Sequence, residues 1–318
     1  MRTIVGVLRG GEGGDYDLSL KTGASVLEHL DKETYDARDI FISKEGEWHS
    51  RGVPMAPEKA LMSVDVAFNA LHGEPSRSGS VQRLLERLQV PYTHTGPSGS
   101  SRALNKVATR EVVHKLGIKV PHGIVVSAGD PSRQGRAEAD PGAAALKLFR
   151  SMPLPLIVKP SGHAKAVAAD SYQSLESALE QSFAGAPEAL VEEYIPGKLA
   201  TVHMLEDFRG EPYYAMLPIE TSGGRVISPG TFSREEKGAL TDAARSVHKA
   251  LEFMHLSAAD FLVNRRGIYF VGANTHPILF AGSLVHHGLS AIGAKLGDLY
   301  GHLVQLARAP KPKVTRAY

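Results

Sequence analysis

Short apolar runs alternate with helically spaced segments over the first hundred residues, and this alternation leaves few architectures open. Residues 3–8 (Thr-Ile-Val-Gly-Val-Leu) form a short run without polar alternation. Such a run suits a strand of a parallel sheet covered on both faces. The glycine-rich turn Arg9-Gly10-Gly11-Glu12-Gly13-Gly14 ends it. A helix is expected from about Leu18 to Leu30, strands over Ala37–Ile42 and Val64–Ala70, and a helix over roughly Gly79–Leu88. Strand and helix in this succession predict a doubly wound α/β domain reaching to about residue 100.

Farther along, Leu104, Val107, Ala108, Val112, Val113 and Leu116 recur at helical spacing, with Gly117 as a stop and Pro121 just beyond. Residues 127–143, rich in Ser, Gly, Asp, Pro and Arg, read as a long exposed loop without chemistry. Leu156–Pro160 reads as a strand, Leu175–Phe183 as a helix and Ala189–Tyr194 as a strand. Residues 200–206 and 213–219 read as a β pair, followed by a helix over about Arg234–Met254. Strands over Ala259–Asn264 and Ile268–Val271 and a last helix over about Ser290–Leu306 complete the pattern. The tail from Ala309 reads as a frayed end or a packing arm.

Composition narrows the function. The 36 basic and 34 acidic residues leave a net charge of +2, which argues against a dedicated nucleic-acid or anionic-membrane binder. With no cysteine, disulfides and thiolate metal sites are excluded. The run in Met1–Gly10 is too short for a signal peptide. No stretch approaches the roughly 18 apolar residues of a membrane span. A cytoplasmic protein is expected.

A series of segments carries a stronger signal because of its order. Gly10-Gly11 leads through Asp15-Tyr-Asp-Leu-Ser19-Leu-Lys-Thr-Gly23 to Ala70-Leu-His72-Gly73, then Pro91-Tyr92-Thr93 with Gly96. Leu156-Ile-Val-Lys159-Pro160-Ser161 follows, and Ala273-Asn274-Thr-x-Pro with Ser283-Leu284 closes the series. Together these segments resemble the D-alanine–D-alanine ligases of the ATP-grasp superfamily over nearly the whole chain. The resemblance implies an N-terminal α/β domain (residues 1–100) and two α+β subdomains (101–195 and 196–318) enclosing a nucleotide cleft. It implies ATP and magnesium as cofactors and a homodimer formed through the N-terminal domain. By the same resemblance Lys106 and Lys159 are nucleotide lysines, and Glu192, Tyr194 and Ile195 belong to the hinge that meets the adenine. Asp15 and His72 lie where the family holds its first D-alanine, and Ser283 and Leu284 where it holds the carboxylate of the second.

The chain departs from the family where the chemistry is done. The position of a metal-bridging Glu is Gly272, which has no side chain to ligate with. Asp260 and Asn274 remain as metal ligands, a weak pair for an ion that favours carboxylates in a near-octahedral shell. Leu199 stands in place of a ribose-binding Glu, Ala258 in place of an Arg on the tetrahedral intermediate, and Ile278 in place of a Gly whose N–H helps it. The phosphate loop reads Gly162-His163-Ala164-Lys165-Ala166-Val167-Ala168, poor in the glycines that let N–H groups converge on oxygens. Lys165 is the charge left there for a phosphate. Glu74-Pro-Ser-Arg77-Ser78 replaces a Gly-rich acidic pattern, and a five-residue stretch, Ser222–Val226, replaces a mobile lid.

These losses fall together on chemistry while the apolar frame is kept. The first reading is a non-catalytic homologue acting by binding or interaction. The second is an active D-alanine–D-alanine or related amino-acid ligase with a site rebuilt on Lys165, Asp260 and Asn274. A nucleotide sensor without turnover is a third.

Overall fold

The computed structural model describes residues 1–73, 76, 78–128, 140–161 and 165–309. The expectations for Glu74, Pro75 and Arg77, for 129–139, for Gly162–Ala164 and for the tail from 310 lie outside these residues.

The chain begins β1 (Thr3–Gly10), α1 (Tyr16–His29), β2 (Tyr35–Ile42), β3 (Trp48–Ser50), β4 (Val53–Pro54), α2 (Pro57–Leu61), β5 (Val66–Asn69) and α3 (Ser80–Arg87). The first sheet has the order β4-β3-β2-β1-β5. Strand β1, inside the sheet, runs parallel to both β2 and β5, as the doubly wound reading requires. The antiparallel edge β3–β4 was not foreseen, because two- and three-residue strands carry no periodicity.

Next come α4 (Pro97–Leu104), α5 (Lys106–Lys115), β6 (Gly123–Ser127), α6 (Pro141–Ser151), β7 (Leu156–Pro160), β8 (Val167–Ala169), α7 (Tyr172–Gly185) and β9 (Glu188–Glu193). The helix expected around residue 104 is broken in two at Asn105, whose side chain caps α5 by accepting from the Ala108 N–H. The expected loop turns helical at α6, where Asp140 caps and Pro141 occupies the first turn. The second sheet has the order β6-β9-β7-β8.

The last part holds β10 (Lys198–Phe208), β11 (Glu211–Ala215), β12 (Ile219–Ser222), β13 (Arg225–Ile227), α8 (Arg234–Ala250), β14 (Leu256–Asn264), β15 (Gly267–Asn274), α9 (Leu284–Ala291) and α10 (Leu296–Arg308). Its sheet has the order β13-β12-β10-β14-β15, with β11 also on β10. Helix α8 packs Leu240, Ala244 and Val247 against one face, formed by Ala200, Val202, Met204 and Ala259. On the opposite face Leu205 and Leu256 join the core that also holds Leu279, Leu289 and Tyr300. The final helix is two, separated at Gly293, whose φ of 68° is left-handed. Helix α10 returns to the first sheet, where Leu299, Tyr300 and Leu303 join Val5, Val7 and Phe68 in one core.

Candidate functional site

Strand register assembles the site. On β10 the residues Leu199, Thr201 and His203 alternate onto the face turned away from α8. Their partners on β14 are Leu262, Asp260 and Ala258. Across β14, Gly272 faces Asp260 and Asn274 faces Ala258. Two neighbouring rows result, Thr201–Asp260–Gly272 and His203–Ala258–Asn274. Thr201 donates its hydroxyl to Asp260 Oδ1 at 2.6 Å. Burial pushes the Asp260 carboxyl up, outweighing this hydrogen bond and the charge of Lys159, which pull it down. Asn274 Oδ1 accepts from the His276 amide at 2.9 Å. A Cβ on Gly272 would meet no atom within 4 Å, so the missing side chain leaves open space.

The second sheet faces these rows with its cations. Lys159 Nζ lies 2.6 Å from Glu192 Oε2 and donates to the Val271 carbonyl at 3.0 Å, tying β7 to β15. Arg110 Nε stands 3.5 Å from the other oxygen of Glu192. Lys106 donates to the Pro160 carbonyl at 2.7 Å. Two adjoining cavities of about 90 and 220 Å³ share Lys106 and Lys159. Tyr194 is exposed and Ile195 buried at the end of this sheet. Lys165 is exposed before β8. A cavity of about 770 Å³ lies elsewhere, around Tyr92, Glu206, Tyr213 and Arg308, and none of these positions lines it.

Asp15 and His72 also come together. A Cβ on Gly73 would stand 3.0 Å from Asp15 Oδ2. His72 bonds Thr22 Oγ1 through Nε2 at 2.9 Å, and its amide donates to Ser19 Oγ. Ser283 caps α9, accepting from the His286 amide, and Leu284 opens that helix. The lid position is a tight hairpin, β12–β13, turning at Gly223 and Gly224 with φ of 55° and 75°. A turn with positive φ at both central residues matches the twist of its strands and ends them in two residues.

Sequence reasoning missed Arg110, Thr201 and His203. Arg110 lies one turn from Lys106 on α5, a spacing that puts both on one helix face. Thr201 and His203 follow Leu199 at period two, a signal that needs the β10 register to be read. No group of three or more His, Asp or Glu among the described residues is arranged to hold a metal ion. No helix among them is long and apolar enough to cross a membrane.

Comparison with known proteins agrees with this architecture. The family model for the D-ala D-ala ligase C-terminus matches residues 112–305. The D-alanine–D-alanine ligase of Pelotomaculum thermopropionicum is 29% identical over 323 residues, 96% of this chain and 97% of that protein. That of Geobacter sulfurreducens is 31% identical over 297 residues, 89% and 87% of the two chains. The VanG D-Ala:D-Ser ligase from Enterococcus faecalis matches with a TM-score of 0.82 at 21% identity, over 96% of this chain and 100% of that one. The D-alanine–D-alanine ligase from Bacillus anthracis complexed with ATP matches at 0.77 and 23%, over 96% of each. At this identity the structural likeness speaks for the fold, which is the ATP-grasp fold of these ligases.

Proposed function

This chain belongs to the D-alanine–D-alanine ligase family, and from that premise we propose that it binds small molecules in the ATP-grasp cleft without joining them. The observation that carries this reading is the row Thr201–Asp260–Gly272, in which the strand position facing Asp260 has no side chain. The residues present do not fit magnesium. Asp260 accepts from Thr201 and its pKa is raised by burial, and the Asn274 oxygen already accepts from the His276 amide. An ion that needs charged oxygens finds few here. Ala258 supplies no donor to a developing oxyanion, a loss worth roughly 10²–10³ in rate where such donors have been removed. A hairpin of this length cannot cover the cleft and exclude water. The adenine side fits better, with Lys106, Arg110, Lys159 and Glu192 gathered around adjoining cavities.

A second reading is an active ATP-dependent D-alanine–D-alanine ligase of peptidoglycan precursor synthesis. It is favoured by relatives that bear that activity in their names and match along most of their length. In it Lys165, Asp260 and Asn274 would serve phosphates and metal.

The deciding measurement is ADP release by the full chain with D-alanine, ATP and magnesium, alongside binding of each by calorimetry. The expected result is background ADP release with measurable binding. Turnover near ~1 s⁻¹, ordinary for an enzyme, would establish the second reading. A protein that neither turns over nor binds overturns both.

A further inference from the structure

The cavity of about 770 Å³ opens where the first α/β domain meets the C-terminal sheet, apart from Lys106, Lys159 and the Asp260 row. Its volume is that of a small-molecule site, and such sites favour the seams between domains. Three carboxylates line it: Glu86 from the last turn of α3, and Glu206 and Asp207 from β10. Glu86 and Asp207 are exposed and Glu206 is half-buried. Among the described residues none of the three has a Lys or Arg within ion-pair distance. Glu206 has only His248, whose Nε2 lies 3.4 Å from its Oε1. Arg308 also lines the cavity but donates to Thr3 Oγ1 instead. Like charges gathered without a counter-ion repel, and a cation entering among them relieves that repulsion.

The rest of the wall narrows the kind of cation. Glu206 Oε2 accepts from the His255 amide at 2.7 Å. Burial pushes the Glu206 carboxyl up, but the hydrogen bonds with His248 and His255 outweigh burial and keep it charged near neutral pH. Pro91, Pro212 and Met254 add an apolar surface beside the carboxylates. His94 lines the cavity too, and this ring, 1% exposed, keeps its Nε2 without a partner among the described residues. A ring whose Nδ1–H donates to Thr93 Oγ1, 3.0 Å away, presents Nε2 as an acceptor. A buried acceptor left unpaired costs stability, and a ligand N–H would satisfy it. Separated carboxylates, a neutral acceptor and an apolar wall suit a molecule made of ammonium groups and methylenes.

We propose that this cavity is a binding site for a linear diamine or polyamine, with one ammonium held by Glu206 and Asp207, another by Glu86, and the methylene chain against Pro91, Pro212 and Met254. Glu86 belongs to the first domain and Glu206 to the C-terminal sheet, so such a ligand ties the two together. The site is separate from the ATP-grasp cleft, and the inference stands whatever that cleft binds.

The test titrates spermidine, putrescine and butylamine into the full chain by calorimetry at a fixed ionic strength of about 0.15 M, where loose surface attraction is screened. Spermidine and putrescine are expected to bind, and butylamine, with a single ammonium, at least about tenfold more weakly. Asp207→Asn and Glu206→Gln should each weaken spermidine binding about three- to tenfold, and Arg308→Ala, which removes a repelling charge, should tighten it. Asp207 has a left-handed φ of 46°, which Asn also adopts, and its side chain makes no hydrogen bond among the described residues. Asp207→Asn therefore keeps the fold and decides the question even where Glu206→Gln, with its bonds to His248 and His255 altered, unfolds. Spermidine affinity unchanged in Asp207→Asn, no binding up to about 10 mM, or butylamine binding as tightly as putrescine overturns the inference. None of these outcomes bears on the nucleotide cleft.

Discussion

Gly272 decides more than any other residue what the cleft can do. Its Cα faces Asp260 across β14–β15, and the space beside it is free. Gly272→Glu would therefore add a carboxylate-bearing side chain opposite Asp260, on the strand that carries Asn274, with no clash at its Cβ. The expected outcome is magnesium-dependent tightening of nucleotide binding by about tenfold or more, roughly 1.4 kcal/mol, measured by calorimetry with and without the metal. Dipeptide formation should stay absent, because Ala258, Ile278 and the short β12–β13 hairpin are untouched. Production of D-alanyl-D-alanine by this single variant would show that neither the missing donors nor the missing lid limits the reaction. Lys159 sits beside this position already engaged by Glu192 and the Val271 carbonyl. An entering phosphate must compete with both.

At the scale of elements, α8 covers one face of the sheet that carries Asp260 and Gly272. Its start is a reciprocal cap: Ser233 Oγ accepts from the Glu236 amide, and the Glu236 carboxylate accepts from the Ser233 amide. Two N–H groups that the helix cannot pair internally are satisfied this way. Leu240, Ala244 and Val247 then point to β10 and β14 at helical spacing. Ser233→Ala should cost about 1 kcal/mol in urea unfolding, with nucleotide binding unchanged. A cost under about 0.3 kcal/mol would mean that packing alone sets this helix start. The β12–β13 hairpin is the converse case. Its Gly223-Gly224 turn was legible as a short connection, and the register shows the strands it joins.

The whole molecule is joined by the return of α10 to the first sheet and by buried histidines between its parts. Tyr300 bonds Ser25 and the Leu279 carbonyl and meets Phe68 edge-on, so one side chain ties α1, β5 and the loop before α9. His94 stacks on His276 at 4.7 Å. Burial first, then His255 and His72, lowers the pKa of His94 to about 3, and burial lowers that of His203 to about 4. Both folded values lie below the unfolded value of about 6.5, so both groups are neutral in the fold at pH 7. Their contribution to stability is therefore complete above about pH 6.5 and is lost as pH falls toward 4 for His203 and 3 for His94. Each group removes about 1.4 kcal/mol per pH unit within its window. Urea midpoints should fall steeply from pH 7 to 5, and His203→Leu should make the fall shallower. A midpoint flat over that range would mean that these imidazoles titrate normally in the fold.

The order of apolar runs, turns and lysine-bearing strands was enough to read the fold class, because the burial of one face sets a periodicity that any sheet or helix must display. The family resemblance singled out Lys106, Lys159 and Glu192, which line one cavity in the structure. The emptiness at Gly272 was equally legible, since a glycine lacks a side chain in any fold. Long-range pairing decided the rest. That His203 lies opposite Ala258, that Thr201 holds Asp260 and that Arg110 reaches Glu192 depend on register between segments up to 82 positions apart. No local pattern encodes such a register, because it is chosen by which faces can be buried together once the sheets form.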